Sequence, residues 1–122
     1  MAMTSRRPRW LIIGSVVMIA LVLLGIQYQR AITRTREAVL KTDLFRMRDA
    51  IDQYRRAQGH YPPSLSALVE GRYLRKIPKD PFTDSSETWR SILAKDPSLP
   101  GIMDVKSGAQ RRGLDGTALS EW

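Results

Sequence analysis

The sequence predicts an α+β protein, in which a long N-terminal helix packs on a short helix and a small antiparallel sheet of about three strands. The first observation is an apolar run without a charged residue, from Trp10 to Ile26. The second is a stretch free of proline and glycine, from Gln27 to Gln58, with apolar residues at helical spacing. The third is that residues 59–122 alternate short apolar stretches with segments rich in turn residues.

The apolar run is long enough to cross a membrane. Its 17 residues would extend about 25 Å as a helix, which is at the short end for a transmembrane span. Trp10 and Tyr28 bracket it as interfacial aromatic residues do, and three arginines precede it: Arg6, Arg7 and Arg9. The pattern predicts a transmembrane helix over residues 10–28 that follows a basic cytoplasmic N-terminus over residues 1–9.

A cleaved secretory signal is the alternative interpretation of the same residues. A basic segment followed by an apolar one is common to both classes. The run is longer than the usual apolar core of a signal, and no A-x-A-like cleavage site follows it before Gln27. Three further arginines lie just beyond the run: Arg30, Arg34 and Arg36. They depart from the positive-inside pattern, in which basic residues gather on the cytoplasmic side of a span. We expect anionic lipid headgroups to be their partners.

The helix is predicted to continue without interruption from about Trp10 to Gln58. Its second part, residues 29–58, is amphipathic, because one face carries an apolar stripe with steps of four and three: Leu40, Leu44, Met47, Ile51 and Tyr54. Gly59 supplies a helix stop, and Pro62 and Pro63 prevent the same helix from resuming. A domain should therefore pack only against the second half of the helix.

Residues 59–122 are predicted to form that domain. Ser64 is a good N-cap for a short helix, Leu65 to about Glu70, which ends at Gly71. Residues 87–93 and 101–107 alternate as strands do, and the final segment, 119–122, is a possible third strand.

Several landmarks occur in the order found in one family. The helix ends in a Gly-x-Tyr-Pro turn, a leucine-bearing short helix follows, and an Ile-Pro-x-Asp-Pro turn precedes a tryptophan: Gly59, Tyr61, Pro62, Leu65, Leu68, Ile77, Pro78, Asp80, Pro81 and Trp89. Together with the endings DVKSG, LDGT and SEW, this part of the chain, about residues 31–122, resembles the major, G-type pseudopilin of the type II (general) secretion system, which has the type IV pilin-like architecture.

The resemblance implies a structural role. Such a subunit is anchored in the bacterial inner membrane by a single span, with its N-terminus cytoplasmic and its C-terminal domain periplasmic. It assembles through its N-terminal helix with other pseudopilin subunits and with inner-membrane proteins of the secretion system, and so supports protein export. The resemblance implies no enzyme activity, small-molecule substrate or cofactor.

The N-terminus departs from the family pattern. Prepilin peptidase cuts family members after a glycine that precedes Phe-Thr-Leu-Ile-Glu or a similar motif. Here the glycine nearest the start of the run is Gly14, and Ile19 stands where the glutamate would be. A cut after Gly14 would leave 12 apolar residues, Ser15 to Ile26, or about 18 Å of helix, against a hydrocarbon core of about 30 Å. We expect no such cut.

Candidate catalytic residues are scarce. His60 is the only histidine, and the chain has no cysteine, so His60 lacks the partners that a metal site or a triad needs. Asp49 and Asp52 lie one helical turn apart among arginines, where a solvated face is expected. We predict no catalytic, cofactor-binding or metal-binding residue.

The resemblance makes calcium a candidate ligand, because G-type pseudopilins bind it in the C-terminal loop. Calcium requires several converging oxygen ligands. The corresponding loop here offers Asp115 beside two cations, Arg111 and Arg112. The Asp115-Gly116 dipeptide favours a turn instead.

Nucleic acid binding is the alternative function from another class, since some pilin-like proteins of DNA uptake bind DNA. The net charge is +8, but acidic residues interleave with the arginines of the helix, and residues 83–122 carry one more acid than base. Phosphate binding favours a surface that is basic throughout. A stand-alone anchored domain that does not polymerise is the remaining alternative.

Overall fold

The computed structural model describes residues 8–122. Arg6 and Arg7, which belong to the predicted basic N-terminus, lie outside the described residues. The chain contains helix α1 (Arg9–Gln58), helix α2 (Leu65–Glu70), strand β1 (Arg90–Leu93), strand β2 (Ile102–Lys106) and a 3-10 helix (Leu119–Glu121). The residues divide into two compact units, one up to Thr33 and one from Arg34 to Trp122. The described residues combine one long helix, one short helix and a two-stranded antiparallel sheet, which is consistent with the predicted α+β class.

Helix α1 is uninterrupted for 50 residues, as predicted, because the sequence offers no proline within it. It ends where Gly59 adopts a φ of 78°. The Gly59 N–H still donates to the Arg55 carbonyl at 2.8 Å, so the last turn is closed before the chain leaves the helix. A left-handed backbone at this position favours glycine.

The second half of α1 supplies one side of the core. The predicted stripe is confirmed, since Leu40, Leu44, Met47 and Ile51 are buried and Tyr54 packs against them. Ala50 of α1 is buried as well, and the other buried apolar side chains come from α2, β2, the loops and the 3-10 helix: Leu68, Trp89, Ile102, Val105, Ala109 and Leu119. The Trp89 indole N–H donates to the Pro78 carbonyl at 2.7 Å, which satisfies the polar end of a buried ring.

Helix α2 begins and ends where predicted, but its end has a different cause. Ser64 is the N-cap, and its hydroxyl accepts from the Ala67 N–H. Gly71 has an ordinary φ of −78°, and the left-handed residue is Arg72, with a φ of 63°. A side chain at Gly71 would lie 2.7 Å from the Tyr73 ring. Glycine is therefore needed here for space and not for its backbone freedom.

Strands β1 and β2 form a two-stranded antiparallel sheet, with Arg90 opposite Lys106 and an irregularity between Ile92 and Leu93. They lie within the predicted segments. The Ile102 N–H donates to the Pro62 carbonyl at 2.8 Å, so the turn after α1 holds the start of β2. Gly101, with a φ of 125°, allows this approach, because a side chain there would meet the Tyr61 carbonyl oxygen at 2.7 Å.

The prediction of about three strands was wrong. The described residues contain two strands, and the final segment forms the 3-10 helix. Its N–H groups bond locally, from Glu121 to the Ala118 carbonyl and from Trp122 to the Leu119 carbonyl. In a strand, these N–H groups would instead donate to the carbonyls of a neighbouring strand. The strand-like pairing near this segment is a single antiparallel bridge between Arg112 and Ala118.

Candidate functional site

The apolar first half of α1 has no protein partner among the described residues. Its large side chains from Trp10 to Ile26 are between 44% and 70% exposed. By length and composition, α1 is the one described helix that could cross a membrane. An apolar surface of this extent in water would be costly, and lipid or other apolar helices are surroundings that would cover it.

The only hydroxyl in this segment is satisfied within the helix. The Ser15 hydroxyl donates to the Leu11 carbonyl at 2.9 Å, and the segment contains no charged residue. Its chemistry is therefore limited to nonpolar contact. It lacks a carboxylate that could pair with a cation of a neighbouring chain.

Arg48 connects the second half of α1 to β2 and to Trp122. Its guanidinium donates to the Asp104 carboxylate at 2.8 Å, to the Val105 carbonyl at 3.1 Å and to the Trp122 carbonyl at 2.6 Å. Arg48 lies outside the apolar stripe of α1 and is nevertheless half-buried. Its three bonds join the helix to β2 and to Trp122.

Asp80 is a second polar residue that the pattern did not identify as structural. Its side chain is fully buried and accepts hydrogen bonds from the Phe82 N–H at 2.8 Å and from the Ser107 hydroxyl. The first of these bonds is an Asx-turn, which Asp-Pro-Phe favours. The Ile-Pro-x-Asp-Pro landmark therefore has a physical role, which is to connect this turn to the segment after β2.

Asp43 lies on α1 near Asp80 and is almost completely buried. Burial raises the pKa of the Asp43 carboxyl, the positive charge of Arg46 opposes that effect, and the negative charge of Asp80 adds to it. The folded state therefore favours the neutral form of Asp43 more than the unfolded state does.

The residues considered for chemistry at the sequence level lie apart on the surface. His60 is exposed, with its Nδ1 at 2.9 Å from the Tyr61 carbonyl and its ring edge-on to Tyr54. Asp49 accepts from the Gln53 amide at 2.8 Å, and Asp52 is exposed. Within residues 8–122, no group of three histidine, cysteine or acidic side chains is arranged to hold a metal ion.

The C-terminal loop contains the predicted turn at Asp115-Gly116. The Asp115 carboxylate accepts from the Thr117 N–H at 2.9 Å and from the Thr117 hydroxyl at 2.6 Å, and these bonds lower its pKa. The Leu114 N–H donates to the Glu37 carboxylate at 2.6 Å. Arg111 lies over the Phe82 ring at 5.0 Å. The loop is thereby attached to α1 and to the Asp80 turn.

An exposed aromatic residue stands out on α1. Phe45 is 71% exposed and separates two hollows of the surface. One, of about 440 Å³, has Trp122 and Lys41 on its wall, with the ammonium 4.8 Å from the ring centroid. The other, of about 390 Å³, is lined by Tyr73 and by basic side chains. The apolar stripe predicted the buried face of α1 but gave no reason to expect an aromatic residue on the opposite one.

Comparison with known proteins identifies no relative of this chain. No protein-family model, curated protein or solved structure matches the chain. The functional interpretation therefore depends on the exposed apolar half of α1, on the surface of the folded region and on the landmarks of the sequence.

Proposed function

We propose that the chain is a membrane-anchored, pilin-like structural subunit, similar to a G-type pseudopilin of a type II secretion system or a related pilus-like assembly. It acts through contact between N-terminal helices in the bacterial inner membrane and performs no chemistry itself. Residues 30–122 lie on the periplasmic side. Its partners are membrane lipids, other pseudopilin subunits and inner-membrane proteins of the secretion system.

The observation that carries the proposal is the contrast within α1. Its large apolar side chains are exposed from Trp10 to Ile26, whereas burial against the folded region begins at Leu40. A helix that anchors a domain in a membrane needs this arrangement, because its first half must face lipid or neighbouring helices. The order of landmarks from Gly59 to Trp89 supports the more specific comparison with pseudopilins.

The uncut chain fits this role better than a processed one. The Gly14-Ser15 peptide lies inside α1, which begins at Arg9. Cleavage there would remove part of the apolar segment and the arginine that directly precedes it. We propose that the subunit keeps its N-terminal segment and serves as an anchored or minor member of the assembly, since Ile19 offers no carboxylate to a neighbouring chain.

Cysteine scanning of the apolar segment tests assembly through α1. The chain has no cysteine, so each variant carries a single thiol. Variants from Leu11→Cys to Ile26→Cys, oxidised in native membranes, should give disulfide-linked dimers at positions that recur every three or four residues, because one face of each helix meets its neighbour. Gln110→Cys, in an exposed loop of the folded region, is the control for random collision.

The alternatives predict different results. A stand-alone anchored domain would give no dimer above the Gln110→Cys level at any position of the segment. A DNA-uptake protein would bind duplex DNA as the full chain in detergent, with sub-micromolar affinity and a steep dependence on salt, whereas unspecific binding lies at about 10⁻⁴–10⁻⁶ M. Either result would overturn the proposed function.

A further inference from the structure

The hollow between Phe45 and Tyr73, which we call the basic hollow, carries three exposed cations: Arg46, Arg75 and Lys76. Its apolar lining comes from Phe45 at one edge and from Tyr73, Leu74 and Pro78. A surface with exposed basic side chains suits a partner that supplies carboxylates, because complementary charge guides the encounter and fixes the register.

Two carboxylates, those of Asp43 and Asp49, line the basic hollow together with its three cations, so the cations outnumber them by one. Asp43 is nearly buried, whereas Asp49 is exposed and accepts a hydrogen bond from Gln53. Residues 8–122 contain two ion pairs, Arg48 with Asp104 and Lys106 with Glu121, and neither includes a cation of the hollow. The hollow therefore presents a net positive charge to an incoming molecule.

The same chain carries a complementary element, the loop of residues 80–88, which we call the acidic loop. Asp84 and Glu87 are exposed on it, and neither belongs to an ion pair of the described residues. The backbone of the loop is held independently of these two charges. The Asp84 N–H donates to the Asp80 carbonyl at 2.7 Å, and the Thr83 and Thr88 hydroxyls lie 2.6 Å apart.

We propose that the basic hollow of one copy receives the acidic loop of a second copy of this chain. The proposal rests on the proposed function, since anchoring in one membrane brings copies together. Both surfaces carry exposed charges that belong to no ion pair among residues 8–122. A loop that is already in its bound conformation loses little entropy on binding. The contact lies in the folded region and is separate from that between apolar segments.

Crosslinking between two differently tagged copies tests the contact. Phe45→Cys places a thiol at the edge of the basic hollow, and Ser86→Cys places one on the acidic loop. Both variants keep every charge of the two surfaces. Full-length copies, mixed in the same membrane and treated with a short bis-maleimide, should form the Phe45→Cys/Ser86→Cys dimer. Phe45→Cys paired with Gln110→Cys is the matched control and should give only the collision background.

Charge reversal then tests the reason for the contact. Arg75→Glu with Lys76→Glu, in the copy that carries Phe45→Cys, should lower the dimer yield several-fold. Adding Asp84→Lys with Glu87→Lys to the other copy should restore it, because the two signs are exchanged together. High salt should weaken the original pair, since exposed charges are screened. These residues are exposed, and unchanged thermal unfolding of each variant excludes misfolding as the cause.

The dimer yield decides the proposal by itself. A yield equal to that of the Gln110→Cys control, or one that charge reversal leaves unchanged, overturns it. So does a result in which reversal changes only binding to phosphatidylglycerol vesicles, because lipid would then be the partner of the hollow. Val22→Cys, within the apolar segment, distinguishes a failure of this contact from a failure of assembly through α1. If it forms dimers while the hollow and loop do not, the proposal fails and the proposed function stands.

Discussion

The two halves of α1 have the same backbone conformation and opposite surroundings. From Trp10 to Ile26 the helix is uncharged and its large side chains are exposed on every face. From Leu40 to Ile51 it is amphipathic, with one buried face and charged residues on the others. The comparison teaches that the distribution of polar residues around a helix, and not the helix itself, determines which solvent each half requires.

Two arginines in the apolar half should produce the largest effect. Ile19→Arg together with Val22→Arg places two charges near the middle of the span, where each costs about 2.5–3.5 kcal/mol of insertion free energy. The full chain should leave the membrane fraction and become extractable at alkaline pH. Ile19→Leu with Val22→Leu is the control and should remain in the membrane. Retention of the arginine variant in the membrane would contradict the assignment of this half to lipid.

A matched pair of methionines compares the two halves directly. Met47 is fully buried, whereas Met18 is 62% exposed. Met47→Ala should lower the free energy of unfolding of the folded region by about 2–5 kcal/mol, because it removes buried contacts and leaves a cavity. Met18→Ala should leave that free energy unchanged. Denaturant unfolding of the full chain in detergent, followed by tryptophan fluorescence, measures both, and equal effects would refute the division.

Arg48 tests whether a charged residue can belong to the packed face. Arg48→Met removes the donor to Asp104 and to two carbonyls. It should lower the free energy of unfolding by about 1–3 kcal/mol, since these acceptors lose a partner. Arg56→Met, on the exposed face of the same helix, should change it by less than about 0.5 kcal/mol. A cost for Arg56→Met equal to that for Arg48→Met would contradict the structural role.

Asp43 should give the smallest effect, and one that depends on pH. Because the pKa of its carboxyl is raised in the folded state, the ionised form lowers stability. This cost is absent below the pKa of the unfolded chain and develops as the pH rises through the folded pKa. Asp43→Asn should therefore be slightly more stable than the parent at neutral pH, and the difference should vanish in acid.

Asp52→Asn, on the exposed face of α1, is the control for this measurement. It should leave the stability unchanged within about 0.5 kcal/mol. Thermal unfolding at several pH values between acid and neutral follows both variants. A stabilisation by Asp43→Asn that persists undiminished in acid would show that ionisation is not its cause.

The sequence was sufficient for the elements whose apolar residues recur regularly. The stripe from Leu40 to Tyr54, the stop at Gly59 and the cap at Ser64 follow from local rules, because spacing and backbone preference act within a few residues. The prediction of a third strand was wrong for the opposite reason. Segment 119–122 has strand-like composition, but whether it pairs depends on a neighbour far away in the sequence.

The buried and half-buried charged residues could not be predicted from the same pattern. Asp43, Arg48 and Asp80 are charged, and charged residues are normally assigned to solvent. Their burial depends on partners brought near by folding, such as Asp104 for Arg48 and Ser107 for Asp80. Of these features, only the Asx-turn at Asp80 is favoured by the local sequence, Asp-Pro-Phe. Phe45 is likewise an exposed aromatic residue outside the apolar stripe, and it lines the basic hollow of the proposed contact between copies.

The intact mass of the protein, extracted from native membranes, tests the central claim most directly. The account predicts a membrane-bound chain that retains Trp10 to Ile26 together with the arginines before it, beginning at Met1 or Ala2. A chain that begins at Ser15 would contradict it, because the subunit would then be processed like a prepilin. A chain that begins beyond Ile26 would also contradict it, since the apolar half of α1 would be a removed secretory signal and not an anchor.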